Sequence, residues 1–328
     1  MRRAGRAVLI GVALLLAVSA AGCLSLRRGD LTFEMLEQRY ASADSRWIQL
    51  PSGVRMHYRD QGRADGPVLL LVHGFGASLH TWEPWAAALG SDHRVVSVDL
   101  PGFGLTRTPT GFDIGGDAYV TALEQFAQAK DLERFTLAGN SMGGAAAWAY
   151  TLAHPERVEA LVLVNAAGAP SERDGGRPPL IFALLGNPVG RALLRDVDTT
   201  PMVRSGLRSA FADDAQVTPA MVERYVALSR APGRRDQILD SRGPRDDRGA
   251  FGRLAGLRTP TLVMVGAEDG VIPAAQSRRF ADVIPGARLI LYPGVGHVPQ
   301  EEIPERSAAD LRAWLATVRQ GSGAAPPN

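Results

Sequence analysis

Short apolar runs alternate along the chain with stretches that mix apolar and polar positions. The almost wholly apolar runs lie at 68–72 (VLLLV), 95–98 (VVSV), 135–138 (FTLA), 160–164 (ALVLV), 261–265 (TLVMV) and 289–291 (LIL). Strands that are apolar on both faces are typical of a parallel sheet that helices cover on both sides. Before this series, segments 47–50 and 54–58 flank a Pro-Ser-Gly turn and predict a hairpin.

Several stretches between the apolar runs have helical periodicity. Residues 119–129 and 307–318 each carry apolar side chains at the three- and four-residue spacing of one helix face, and Ser307 is a suitable N-cap. Alternating strands and helices predict an α/β fold with a mostly parallel central sheet. In open sheets of this kind the chemistry lies beyond the carboxyl ends of the strands, so the residues after each apolar run are the candidates.

One interval, 169–257, is too long for a simple helical crossover. Segments 179–197 and 219–229 within it predict helices, the second with Thr218 as N-cap and a proline in its first turn. We interpret the interval as a helical cap over a core formed by 46–168 and 258–320. Four apolar side chains of the cap either line an acyl pocket or pack within the cap itself: Ile181, Phe182, Leu184 and Leu185.

The charged, Gly-rich segment 230–248 within the cap predicts an exposed and mobile stretch. At the other end of the chain, residues 321–328 (GSGAAPPN) lack apolar periodicity and predict a disordered tail.

The first 22 residues have the pattern of an export signal. A basic start precedes an apolar run at 7–21, which is shorter than the roughly 20 residues of a stable membrane span. The ending Ala-Ala-Gly-Cys resembles a bacterial lipobox, which implies cleavage before Cys23, its lipidation, and a membrane-anchored protein facing the periplasm or the cell exterior. The alternative is an ordinary signal that leaves Cys23, the only cysteine, as a spare thiol. Residues 23–45 then form a tether, whose segment 30–41 favours a helix lying on the body.

The composition limits the kinds of ligand and binding partner to be expected. The 328 residues are 45% hydrophobic and 21% charged, which is ordinary for a globular protein, and a net charge of +2 is too small to favour nucleic-acid binding. The sequence has no Cys or His cluster with metal-ligand spacing and no phosphate-binding loop. We therefore expect no metal and no organic cofactor.

One serine lies in a strand–turn–helix context. Residues 139–143 (GNSMG) follow the apolar run 135–138 and precede an Ala-rich stretch, which is the setting of a G-x-S-x-G nucleophile elbow. Glycines two residues before and after Ser141 let strand and helix nearly touch at a sharp turn that exposes the hydroxyl. The alternative is a tight turn with an incidental serine.

Five segments together resemble the α/β-hydrolase superfamily, and the match spans roughly 46–319. They are HGFG at 73–76, DLPGFG at 99–104, GNSMGG at 139–144, GAEDGVIP at 266–273 and GVGHVPQEE at 294–302. The resemblance implies the α/β-hydrolase fold, with helices flanking the central sheet and a cap inserted into it. It also implies that the backbone N–H groups of Phe75 and Met142 form an oxyanion hole.

By the same resemblance, Asp269 occupies the position of the triad acid, with Glu268 as its neighbouring competitor. The order Ser141, Asp269, His297 is the order of the catalytic triad in this superfamily. Some members carry the acid after an earlier strand, where this chain has Asn165, which cannot carry the charge.

Other polar residues near these motifs have structural interpretations. His73 is either a second base or a brace for the oxyanion loop, and the second interpretation is favoured. Asp99 comes too early in the chain order for the triad and is interpreted as bracing a turn. The remaining histidines lie in or beside edge strands or at helix ends without a partner motif, namely His57, His80, His93 and His154.

The expected activity is cleavage of small-molecule carboxylic esters through an acyl-enzyme on Ser141. Related dehalogenases and epoxide hydrolases use an aspartate in place of this serine, which disfavours their reactions. The string GNSMGG resembles both monoacylglycerol-lipase-like esterases and the C–C hydrolases of meta-cleavage products, whereas the ending GHVPQEE looks more like the esterases. A C–C hydrolase and a non-catalytic ligand-binding scaffold of this fold remain alternatives.

Overall fold

The computed structural model describes residues 27–170, 197–240 and 248–323. One eight-stranded sheet organises the described chain, in the order β1-β2-β4-β3-β5-β6-β7-β8. The strands are β1 (Ser45–Gln49), β2 (Arg55–Gly62), β3 (Val68–Val72), β4 (Arg94–Val98), β5 (Phe135–Asn140), β6 (Val158–Val164), β7 (Thr261–Gly266) and β8 (Arg288–Tyr292).

The pairing confirms the predicted sheet. Strands β3 to β8 are mutually parallel, and β1 and β2 form the antiparallel hairpin at one edge. Each predicted apolar run is a strand, and β3 to β7 are buried along nearly their whole length, as expected of strands covered on both faces.

Helices cover both faces of the sheet. Those in the described residues are α1 (Phe33–Tyr40), α2 (Glu83–Leu89), α3 (Gly116–Ala129), α4 (Met142–Ala153), α5 (Thr200–Ala210), α6 (Pro219–Leu228), α7 (Arg234–Asp240), α8 (Arg248–Arg253), α9 (Ala274–Val283), α10 (Pro299–Glu302) and α11 (Pro304–Gly323). Helices α3, α4, α8 and α9 pack on one face, and α2 and α11 on the other, so each face has its own apolar core. Among the described helices, none has the length and apolar composition needed to cross a bilayer.

The cap lies at the carboxyl ends of the strands. Helices α5 and α6 share a small apolar cluster around Leu207, Phe211 and Val222, and Thr218 caps α6 by accepting a hydrogen bond from the Met221 amide, as predicted. Most of the predicted helix 179–197, with its four apolar side chains proposed for an acyl pocket, lies outside the described residues.

The interpretation of 230–248 as exposed and mobile is wrong for its first part. Residues 234–240 form α7, and Arg234 is only 3% exposed. Its guanidinium donates hydrogen bonds to the carbonyls of Gly104, Thr106 and Leu228. Burial lowers the pKa of this arginine to about 10, although the negative charge of Asp99 acts to raise it. The side chain therefore still carries its charge at neutral pH. Charged composition alone therefore does not show exposure, because backbone carbonyls can satisfy a buried guanidinium.

The segment interpreted as a tether packs onto the body, as the predicted helix suggested. Residues 27–40, which we call the N-terminal strap, place Leu36 in a cluster with Leu105 of the core and Leu228 of the cap. The strap also donates from the Leu31 amide to the Arg230 carbonyl at 2.8 Å. At the other end of the chain, α11 continues to residue 323, three residues into the predicted tail, and 324–328 lie outside the described residues.

Candidate active site

Ser141 occupies a strained turn between β5 and α4. Its backbone angles, φ 54° and ψ −120°, lie in a region that costs a non-glycine residue about 1–3 kcal/mol. Neighbouring backbone groups hold it there. Its N–H donates to the Val164 carbonyl at 3.1 Å, and its carbonyl accepts from Ala145 and Ala167, each at 3.0 Å. This turn is the predicted elbow, and the side chain at its tip is half-buried.

The glycines of the elbow are required by close backbone approach. A Cβ atom at Gly139 would collide with the carbonyl of Gly143. A Cβ atom at Gly143 would collide with the carbonyls of Val72 and His73 at the end of β3. Any larger residue would push the helix away from the strand and move Ser141.

The loop after β3 lies directly against the elbow. A Cβ atom built on Gly74 would lie 3.1 Å from the Cβ of Ser141. The next residue is Phe75, and Met142 opens α4, so its N–H belongs to the first turn, where helices have no internal acceptor. Within the described part of the chain, neither N–H donates a hydrogen bond.

His73 braces this loop, as predicted. Its Nδ1 donates to the Gly74 carbonyl at 2.7 Å, and its Nε2 accepts from the Leu100 amide at 3.1 Å. This pairing requires the neutral ring. Complete burial lowers the pKa of His73 and thereby favours the neutral form. The ring therefore has no nitrogen left to act as a base.

His297 follows β8 on a loop that three groups hold. Its amide donates to the Ala210 carbonyl of the cap at 2.6 Å, and its carbonyl accepts from Asn140 Nδ2 at 3.0 Å. The Glu302 carboxylate accepts from the preceding Gly296 amide at 2.9 Å and from Ala212 of the cap at 2.8 Å. Asn140 immediately precedes Ser141, so one side chain joins the histidine loop to the elbow.

Asp269 pairs with His297. Its Oδ2 lies 2.7 Å from His297 Nδ1, and its Oδ1 accepts from the amides of Val271 and Ile272 at 2.7 and 2.9 Å. The carboxylate is fully buried, whereas the neighbouring Glu268 is exposed. A proton on Nδ1 leaves Nε2 as the free acceptor of the ring.

Three side chains that support the site had no predicted role in it. Asn140 and Glu302 hold the histidine loop, and Asn165 Nδ2 donates to Asp269 Oδ2 at 2.6 Å. Asn140 and Glu302 lie one and five positions from Ser141 and His297, so position near a motif was the signal available for them. Asn165 follows β6, where some members of the superfamily carry the acid, and its link to Asp269 spans 104 positions of the chain.

His57 is a buried residue, in keeping with its structural interpretation, but it has two side-chain partners that no local motif indicated. It lies on β2, an interior strand between β1 and β4, and its Nδ1 is 2.7 Å from Asp99 Oδ2 while its Nε2 is 2.9 Å from Ser45 Oγ. The partners come from two other segments, and the antiparallel register that joins them cannot be read from a local motif.

Asp99 combines the predicted bracing of a turn with this histidine contact. Its two carboxylate oxygens also accept from the amides of Leu79 and Leu105, each at 2.7 Å. Burial alone would raise the pKa of Asp99, but the charge and hydrogen bond of His57 outweigh it and hold this pKa well below its usual range.

The site thus assembles a strained serine, a histidine oriented by a buried carboxylate, and a loop of backbone N–H groups. These are the parts that nucleophilic acyl transfer requires. The described residues contain no group of three or more His, Cys, Asp or Glu side chains that could hold a metal ion.

The known proteins that this chain resembles are hydrolases. A family model described as alpha/beta hydrolase fold matches residues 67–304. The chain is 28% identical to "Lipase 3" of Moraxella sp. (strain TA144), over 93% of this chain and 96% of that protein. It is 30% identical to "2-hydroxymuconate semialdehyde hydrolase" of Pseudomonas sp. (strain CF600), over 81% and 92%. A solved structure of a membrane phospholipase A, described as a bacterial virulence factor, matches at a TM-score of 0.69 and 28% identity, over 97% and 99%.

Proposed function

This chain belongs to the alpha/beta hydrolase fold family, and within that family we propose that it is a serine hydrolase of carboxylic esters. Ser141 is the nucleophile, His297 the general base and Asp269 the acid that orients the base. The observation that carries the proposal is the 2.7 Å contact of Asp269 with His297, beside a strained serine turn that Asn140 joins to the histidine loop.

The proposed reaction has two halves. His297 Nε2 takes the Ser141 hydroxyl proton while Oγ attacks the ester carbonyl carbon, and the tetrahedral intermediate expels the alcohol, which receives that proton from the imidazolium. Water then attacks the acyl-enzyme with the same base, and the carboxylic acid leaves as Ser141 regains its proton. Asp269 keeps the Nδ1 tautomer in place and stabilises the imidazolium in both halves.

The backbone N–H groups of Phe75 and Met142 are proposed to stabilise the oxyanion. The loop that carries Phe75 lies against Ser141, and Met142 sits at a helix N-terminus, where the partial positive charge favours an anion. One such donor is worth about 2.7–4 kcal/mol of transition-state stabilisation in other enzymes.

Two considerations favour esters over C–C bonds. The relatives that match 93% and 97% of this chain are a lipase and a phospholipase, whereas the semialdehyde hydrolase matches 81%. The ending GHVPQEE also resembles the esterases. The semialdehyde hydrolase keeps C–C cleavage as the second candidate, since it is 30% identical to this chain, against 28% for the lipase and for the phospholipase.

The test is hydrolysis of p-nitrophenyl esters of increasing acyl length by the wild type and by Ser141→Ala. We expect turnover by the wild type and a loss of about 10⁴-fold or more in the variant. Ser45→Ala, which removes the serine of the buried Ser45–His57–Asp99 set, is the matched control and should retain activity. Turnover of a dienone substrate without ester cleavage would instead identify a C–C hydrolase, and a folded protein without either activity would favour a binding scaffold.

We further propose that the protein is exported and held at a membrane through a lipid on Cys23. The support is the basic start, the short apolar run and the Ala-Ala-Gly-Cys ending, all of which lie outside the described residues. Because Cys23 is the only cysteine, incorporation of labelled fatty acid should vanish in Cys23→Ser. Equal labelling of both proteins, or none of the wild type, would contradict the anchor.

A further inference from the structure

Asn165 lies at the carboxyl end of β6 in an unusual environment for an amide. It has no exposed surface, and its φ of 41° is in the left-handed region. Two of its hydrogen bonds go to β7: its N–H donates to the Met264 carbonyl at 2.9 Å, and its Oδ1 accepts from the Gly266 amide at 3.1 Å. The third, from Nδ2 to Asp269 Oδ2, spans 2.6 Å.

Hydrogen-bonding partners fix the orientation of this amide. If the group were reversed, Oδ1 would face the carboxylate of Asp269 and Nδ2 would face the N–H of Gly266. Two repulsive contacts would replace two hydrogen bonds. The donor therefore points to Asp269.

Asp269 Oδ2 consequently serves two donors at once, His297 Nδ1 at 2.7 Å and Asn165 Nδ2 at 2.6 Å. Oδ1 is filled by two backbone amides, so the buried carboxylate has a donor for each of its roughly four lone-pair positions. Hydrogen bonds to an ionised acceptor are short and strong, and an acceptor that loses one donor attracts the other more strongly.

We propose that Asn165 is a positioning residue for the His297 base and acts through Asp269. It fixes the carboxylate and takes up part of the hydrogen-bonding capacity of Oδ2, which limits the stabilisation of the imidazolium. Without the amide, His297 would keep its second proton to higher pH, where it could not accept the Ser141 proton. This inference rests on the proposed function, because it gives Asn165 a part in that reaction.

The first variant is Asn165→Asp, which keeps the size of the side chain, the Oδ1 acceptor for Gly266 and a residue type that tolerates the left-handed region. At low pH the new carboxyl is protonated and donates to Asp269 as the amide does. As pH rises it ionises, the donor is lost and two carboxylates face each other. We expect the kcat/KM of the variant, relative to wild type, to fall by about tenfold or more between roughly pH 6 and 9. A purely structural role predicts a ratio that does not change with pH.

The second variant is Asn165→Gly, which removes the amide without backbone strain at φ 41°. Without the amide the Asp269 carboxylate is no longer fixed, and the resulting misplacement of the His297 base predicts a fall in kcat/KM of about 10–100-fold. The acidic limb of the pH profile should move up by about half a unit to one unit. Asn165→Asp decides the question if the glycine variant does not fold.

A readout independent of turnover separates this inference from the proposed function. The NMR resonance of the proton between His297 Nδ1 and Asp269 Oδ2 should move downfield in Asn165→Gly, because the remaining hydrogen bond strengthens. If the wild type cleaves no ester and the resonance still moves, the proposed function fails and the role of Asn165 stands. If neither the pH profiles nor the resonance change in folded variants, Asn165 only joins β6 to β7 and the inference is overturned.

Discussion

The described residues include two His–Asp pairs of nearly the same geometry, each accompanied by a serine. In both, a histidine Nδ1 lies 2.7 Å from an aspartate Oδ2, in one set His297 with Asp269 and in the other His57 with Asp99. The second set even has Ser45 Oγ 2.9 Å from the Nε2 of its histidine. Residue identity and distance alone would rank the buried set as a complete triad.

The surroundings separate the two sets. Ser45 lies in the edge strand β1 and is only 6% exposed, and His57 and Asp99 are wholly buried. Ser141 instead stands half-buried in a strained turn at a helix N-terminus, beside the loop that carries Phe75. Access, strain and an oxyanion site therefore distinguish a candidate catalytic set from a buried network that stabilises the fold.

The largest expected effect comes from changing the two histidines in parallel. His297→Gln should lower kcat/KM by about 10⁶-fold, as loss of the histidine does in a comparable triad, and leave the melting temperature nearly unchanged. His57→Gln should do the opposite, with a lower melting temperature and kcat/KM close to wild type in the folded protein. Ester assays and thermal unfolding of both variants measure this, and a large activity loss in His57→Gln would remove the distinction.

A smaller effect is expected from the buried carboxylate. Asp99→Asn should lower the free energy of unfolding by about 3 kcal/mol at neutral pH, because a buried pair loses its charged partner. The folded-state pKa of Asp99 is depressed, so its contribution is present above the unfolded value of about 3.9 and is lost as pH falls toward the folded value. Denaturant unfolding should therefore show a gap between wild type and variant that narrows below about pH 4. A gap that widens on acidification would contradict this assignment.

The smallest effect is expected at Ser45. Ser45→Ala removes a hydroxyl that hydrogen-bonds His57 and the Ser42 amide, which should cost about 1 kcal/mol of unfolding free energy. Chemical denaturation measures the difference, with Ser91→Ala as the control at an exposed serine. An activity loss in Ser45→Ala comparable with that of Ser141→Ala would mean that the buried set takes part in catalysis.

The strands and the serine turn were predictable because each depends on local composition. Continuous apolar runs gave β3 to β8, and the glycines around Ser141 predicted the elbow, since close approach excludes side chains there. Chain order and family resemblance placed Asp269 and His297 as partners, and the structure brings them to 2.7 Å.

Long-range contacts were not predictable in the same way. His57 meets Asp99 only through the register of β2 with β4. Arg234 is buried because two carbonyls of the distant loop 104–106 and the carbonyl of Leu228 accept hydrogen bonds from it. Asn165 stands where some members of the superfamily carry the triad acid. In the structure its side chain instead donates a hydrogen bond to Asp269. In each case the partner is set by tertiary packing, which a single sequence does not display.

The N-terminal strap is joined to the cap by several side-chain contacts, so the cap is not an independent unit. Leu36 packs against Leu228, Arg39 pairs with Glu223 at 2.5 Å, and Arg235 pairs with Asp30 at 2.6 Å. A chimaera that imported the cap helices alone would leave these side chains without their partners. Exchange of substrate specificity between related enzymes by cap grafting therefore requires transplanting two pieces of chain, the strap and the cap, as one unit.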